Sequence, residues 1–178
     1  KLPHMTVTSL FRDHRNNIWM GSWDKVVYRI DAGTGLEKVF KPGKPGSFPG
    51  DDPLSFAEDH KNNIWIAGRY GGLYVFDPVT ENFSHYSHDA SKDGSLTGNQ
   101  VNVVYINRTG MVLVGTNNGL SIHDPSRQQF VQQFLPGSQN SGNTIYDFSE
   151  QNDELWIGTG DGLYILDKLT GNIAHKSL

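Results

Sequence analysis

The residues best equipped for chemistry in this chain sit in turns. Trp23, Asp24 and Lys25 stand together, as do Arg69 with Tyr70 and Asn117 with Asn118, and Asp161 completes the set. An indole, a phenol and a guanidinium among amides and carboxylates can stack on sugar faces and hydrogen-bond sugar hydroxyls. These eight residues therefore predict ligand binding. Signs of catalysis are thin. The stretch GTGDGL (158–163) superficially suggests a phosphate-cradling glycine loop, but it lacks the G-x-G-x-x-G spacing and precedes a strand, so it reads as a hairpin turn. The stretch DASKDG (89–94) misses the alternate oxygen ligands of a calcium loop and reads as a connecting loop. His85, His88, His123 and His175 lie in or beside strands with no companion Asp/Ser spacing that would define a triad. His14 and His60 recur at one repeat position, which argues for structure rather than a metal pair. No metal site, no cofactor and no catalytic residue is expected.

A repeat brings the turn residues together. NNIWMGSWDKVVYRID (16–31), NNIWIAGRYGGLYVFD (62–77), GMVLVGTNNGLSIHD (110–124) and DELWIGTGDGLYILD (153–167) align in one register. Trp19, Trp65, Leu113 and Trp156 share a column, with steps of 46, 48 and 43 residues (65−19, 113−65, 156−113). Six positions earlier stand Asp13, Asp59, Asn107 and Glu150, and each block closes on Asp31, Asp77, Asp124 or Asp167. Agreement in several columns at near-constant offsets outweighs any single motif.

Each repeat predicts four short strands. The runs TVTSLF, PLSFA, QVNVVYI and NTIYDF are too short for helices and are bounded by turn residues. A hairpin follows, with Asn16, Asn62, Gly110 and Asp153 expected in the left-handed region and the acidic residue before it accepting the turn's amides. The Trp strand comes next, then a second turn that uses Gly71-Gly72, Gly119 or Gly160 to Gly162. Lys25-Val26-Val27 replaces that Gly-Gly-Leu pattern in the first repeat, which predicts a distorted turn there. A third strand ends at the closing aspartate, and LEKVF, NFSHY, QFVQQF and NIAHK form the fourth.

Four antiparallel strands per repeat of roughly 45 residues describe one blade of a β-propeller. The expected fold is all-β, four four-stranded antiparallel blades at approximately 5–41, 52–87, 99–135 and 143–177, forming one segment of a larger ring of about seven blades. The runs IWIAG and LWIGT are apolar on both faces, which makes the Trp column an inter-blade packing element. In an up-and-down blade, the turn between strands two and three shares its rim with the connection to the next blade. The eight candidate residues therefore lie on one rim, with Asp51, Asp52, Ser95, Thr97, Asn99, Gln100 and Asn143 from the connections.

Composition narrows the partners. A net charge of −4, with scattered Lys and Arg, offers no phosphate-binding patch, so nucleic acid is not expected. No run approaches the roughly 18 apolar residues that would span a bilayer. The opening KLPHM reads as a cloning scar or as a cut within a longer chain. With no cysteine, disulfides and thiolate chemistry are excluded. An open arc of blades leaves faces and edges that call for a partner, either the remaining blades or a second copy forming a homodimer.

The clearest repeat, LSFAEDHKNNIWIAGRYGGLYVFDPVTENFSHY (54–86), continuing through SHDASKDGSLTGNQV, resembles the two-component regulator propeller repeat, and the similarity extends over nearly the whole chain. Asn16 and Asn62 replace the family's turn glycine, and Leu113 its tryptophan. The resemblance implies the periplasmic or extracytoplasmic sensor part of an inner-membrane bacterial signalling protein, with a histidine kinase or diguanylate cyclase output downstream. The function it implies is non-catalytic sensing of a small extracellular ligand such as a carbohydrate. Two alternatives are a lyase-like propeller enzyme, which needs a convergent histidine and carboxylate on a rim, and a protein-interaction scaffold.

Overall fold

A computed structural model describes residues 5–124, 126, 129–137 and 143–176. Residue 177 of the expected fourth blade and most of the turn at 124–128 lie outside this set. The described residues form sixteen strands in four sheets, each sheet ordered as its strands occur in sequence and antiparallel throughout. The first sheet comprises β1 (Val7–Arg12), β2 (Ile18–Ser22), β3 (Val26–Ile30) and β4 (Glu37–Phe40). The second comprises β5 (Pro53–Glu58), β6 (Ile64–Gly68), β7 (Gly72–Asp77) and β8 (Asn82–Tyr86). The third comprises β9 (Val101–Ile106), β10 (Val112–Thr116), β11 (Gly119–Asp124) and β12 (Gln129–Gln133). The fourth comprises β13 (Ile145–Gln151), β14 (Glu154–Thr159), β15 (Gly162–Asp167) and β16 (Ile173–Lys176). These are the all-β propeller blades that the repeat predicts.

The core is divided among the seams between blades. In the second blade, Ile64, Ile66, Tyr74 and Phe76 pack toward the first blade with Trp19, Val27 and Phe40. The alternate residues Trp65, Ala67, Leu73 and Val75 pack toward the third with Val101, Val104 and Val112. Because successive strand side chains point to opposite faces, a blade with neighbours on both sides must be apolar at every position. The seam between the third and fourth blades is mainly aliphatic, built on Leu113, Leu120, Ile145, Leu155 and Ile157. Each blade-to-blade connection inserts one apolar anchor into its seam: Phe48, Leu96 and Leu135, all buried.

Each first strand carries an irregularity near its start, skipping Thr8, Leu54, Asn102 or Tyr146 in the pairing with its neighbour. Such bulges turn one side chain out of the ladder. Thr8 Oγ1 donates to the Pro53 carbonyl at 2.5 Å and Asn102 Nδ2 to the Ile145 carbonyl at 2.9 Å, so two of the bulges tie one blade to the next.

Two turns differ from expectation. In the fourth blade the left-handed residue is Asn152 (φ 53°), not Asp153, because Gln151 pairs with Glu154 and leaves only a two-residue loop. Asn16, Asn62 and Gly110 take the left-handed conformation as expected. In the first blade, loop 23–25 has the same length as loop 69–71 and places Lys25 at φ 60°, while the second blade places Gly72 at φ 112° one position later. Without glycines the turn still closes, and the left-handed residue moves forward by one.

Candidate functional site

All four turns between second and third strands emerge at one rim, since these strands run in the same sense in every blade. Trp23, Asp24, Lys25, Tyr70, Asn117, Asn118 and Asp161 are exposed there, and Arg69 is half-buried. Trp23 and Tyr70 present large rings to solvent, at 57% and 64% exposure, and the Arg69 guanidinium lies 5.7 Å from the Tyr70 ring centroid. Within this set the side chains divide by use. Asn118 Nδ2 donates to the Thr97 carbonyl at 3.0 Å, and Asp161 accepts from Thr159 Oγ1 at 2.9 Å and from the Tyr164 hydroxyl at 3.3 Å, so these two shape their turns.

The connections supply support that spacing alone could not assign. Asp51 is buried and accepts from the backbone N–H of Asp52, Tyr70 and Gly71 and from the Tyr74 hydroxyl, at 2.8 to 3.1 Å. One carboxylate therefore fixes the loop carrying Arg69 and Tyr70. Burial, and then the Asp51 charge, push the Tyr74 phenol well above its ordinary range, so it remains a donor to Asp51. Thr97, also buried, joins its hydroxyl to those of Thr116 at 2.8 Å and Ser121 at 3.0 Å. Asp51, Asp52 and Thr97 belong to the foundation of the rim and not to its surface.

Two histidines brace the same turns from below. His85 stacks on Tyr74 with centroids 4.8 Å apart, and its Nε2 meets the Gly71 carbonyl at 2.5 Å. His175 stands 4.9 Å from the Tyr164 ring, and its Nε2 is 3.3 Å from the Asp161 carbonyl. A ring nitrogen engaged with a backbone carbonyl is positioned to hold a turn. In the loop 89–94, Asp89 accepts from the hydroxyl and amide of Ser91 and pairs with Lys92 at 3.2 Å. The Ser91 hydroxyl, followed by the Ser91 amide and Lys92, lowers the Asp89 carboxyl to about 2.

The opposite rim carries the first-turn acids. Asp13 accepts from the amides of Arg15 and Asn17, from Asn17 Nδ2 and from Trp19 Nε1, and Asp59 makes the same bonds to Lys61, Asn63 and Trp65. Burial raises the Asp13 carboxyl, but the bonds from Trp19, Asn17 and Arg15 together outweigh it and the net shift is downward. The six-residue spacing of acid and tryptophan thus reflects a direct hydrogen bond of 2.9 Å in both blades. Asn107, whose column partner is Leu113, keeps only the turn bonds to Thr109 and Met111. Glu150 departs further, bonding Lys168 and Tyr105, while Trp156 Nε1 donates to Glu154.

Residues 1–24 match the family described as "Two component regulator propeller". No curated protein matches the chain. The fold is similar to the extracellular domain assigned to the hybrid two component system BT3049 from B. thetaiotaomicron, with TM-score 0.84 and 20% identity over 99% of this chain and 25% of that one. The corresponding domain of BT4673 from the same organism aligns with TM-score 0.66 and 20% identity over 96% and 28%. Virginiamycin B lyase from Staphylococcus aureus aligns with TM-score 0.76 and 15% identity over 99% and 57%. The chain spans about a quarter of the length of the two-component domains. The likenesses establish a propeller fold, and the family match is carried by residues 1–24.

Proposed function

We propose that the chain is a non-catalytic, ligand-sensing propeller segment of a bacterial signal-transduction receptor, working outside the cytoplasm and completed by further blades and signalling domains of its parent. The carrying observation is the contrast between a repeated frame and the exposed turn tips of different sequence on one rim, where Trp23 and Tyr70 are open to solvent. Rigid sheets beneath allow such tips to differ without loss of fold. The ligand that suits two open aromatic faces beside Asp24, Lys25, Arg69, Asn117, Asn118 and Asp161 is a carbohydrate or another small polyhydroxylated molecule. Likeness to two-component extracellular domains supports the signalling role and the extracytoplasmic location.

Calorimetric titration of the complete parent propeller with an oligosaccharide panel tests this reading. Saturable binding that weakens about tenfold in Trp23→Ala or Tyr70→Ala is expected, in line with the value of a buried ring contact. Failure of the whole panel, or indifference to both substitutions, rejects it. An enzyme reading draws on the lyase neighbour. It is less well supported because His85 and His175, the strand histidines nearest the rim turns, have ring nitrogens facing turn carbonyls.

A further inference from the structure

The first two seams place ring side chains at equivalent positions on the rim opposite the turn tips, Trp19, Phe40 and Phe76 in one and Trp65, Tyr86 and His123 in the other. Trp19 stacks on Phe40 with centroids 5.6 Å apart, and Trp65 on Tyr86 at 6.0 Å. Phe76 from the next blade lies 5.2 Å from Trp19, and His123, in the same register, lies 5.4 Å from Trp65. The seams differ in what covers these rings. Cross-strand from Trp19 stands Arg29, and its guanidinium lies 5.7 Å from the Trp19 centroid and 6.0 Å from Phe40. Its Nε is buried without a hydrogen-bond partner, and the guanidinium lies against the two ring faces. A 2.5 Å contact between His14 Nδ1 and Glu58 bridges the outside. Only about 30 Å³ of open space is left.

In the second seam Val75 replaces Arg29 and Ile106 replaces Glu58. The equivalent space is a groove of about 420 Å³, bordered among the described residues by Asp59, His60, Lys61 and Thr109 and by the Trp65, Tyr86 and His123 rings. That volume lies within the usual range for small-molecule sites. The carboxylate at the Asp13 position is retained as Asp59, and tyrosine, a better cation acceptor than phenylalanine, stands at the Phe40 position. We propose that this groove binds a small organic cation, a guanidinium-bearing molecule that takes the place Arg29 fills one seam earlier. This site is distinct from the turn-tip site and does not depend on it.

Butylguanidinium and its uncharged isostere butylurea are the probes, each titrated into the full chain while the Trp65 indole N–H resonance is followed. Saturable binding of butylguanidinium is expected, with butylurea about tenfold weaker, as the loss of a cation–π contact requires. Val75→Arg is expected to abolish it by supplying the guanidinium from the protein itself. Arg29→Val, which opens the first seam, is expected to create a second site for butylguanidinium that shifts the Trp19 indole resonance. The second variant keeps the proposal testable if the first does not fold. Equal binding of the two probes, no saturable shift at Trp65, or binding unchanged in a folded Val75→Arg protein would overturn it.

Discussion

Trp65 and Trp156 occupy the same column of the repeat in different surroundings. Trp65 is 5% exposed, packed into the seam between the second and third blades and bonded through its indole to Asp59. Trp156 is only partly buried, bonded to Glu154, and its face of β14 meets no further blade among the described residues. The glycines two positions after this column in the third and fourth blades, Gly115 and Gly158, tell the same story. A methyl group on Gly115 would lie 2.6 Å from Ile145 Cγ2 and 2.7 Å from Val103 Cγ1, whereas on Gly158 the nearest atom would be 3.8 Å away. A repeat residue is therefore a means of packing that acts only when the next blade is present. What holds one blade in this propeller is written partly in the blade after it.

The largest effect expected from this contrast is at the tryptophans. Trp65→Ala should cost about 3–5 kcal/mol, as removal of a buried ring does. Sequence columns alone assign Trp156 the same importance, but its open surroundings reduce the cost of Trp156→Ala to about 1–2 kcal/mol. Urea unfolding of both variants checks this, and equal losses would break the comparison.

A finer test uses the glycines, because it adds atoms instead of deleting them. Gly115→Ala drives a methyl into the seam between the third and fourth blades and should cost about 1–3 kcal/mol. Gly158→Ala meets only the Asp147 carbonyl oxygen, at an ordinary contact distance of 3.8 Å, and replaces a flexible residue in a strand, so stability should hold or rise by about 0.5 kcal/mol. Thermal midpoints moving in the same direction would show that the two positions are not distinguished by coverage.

The strands, the sharing of apolar residues between two faces and the rim to which each turn belongs were legible in the sequence because they follow from period and spacing. The Asp59 to Trp65 bond has a trace in the spacing, since Asp13 and Trp19 repeat it and Asn107 with Leu113 loses both partners together, but Glu150 and Trp156 keep the spacing without the bond. What spacing could not give was depth. Asp51 and Tyr70 both stand near the rim in the alignment, yet one is 4% exposed and the other 64%. The groove over Trp65 escaped notice for a related reason. It lies in the seam where Val75 and Ile106 stand at the positions of Arg29 and Glu58, two exchanges of a charged for an apolar side chain that leave the strand pairing undisturbed.

The smallest effect expected is at Asp24 on the rim, an aspartate whose surroundings are the opposite of those of Asp51. Asp24 is exposed at its turn tip, and Asp51 is enclosed by three amides and a phenol. Asp51→Ala leaves those buried donors unsatisfied and should cost about 2–3 kcal/mol, at the upper end for a deleted buried acceptor. Asp24→Ala removes no packing and should leave stability within about 0.5 kcal/mol. The pair also separates foundation from surface in binding. Loss of Asp51 should weaken a ligand held by Arg69 and Tyr70 by releasing their loop, and loss of Asp24 should act on affinity alone with the unfolding curve unmoved. A measurable stability loss in Asp24→Ala would mean that the turn tip takes part in holding the blade together, and the division between a fixed frame and a variable rim would then fail at the residue where it is drawn most plainly.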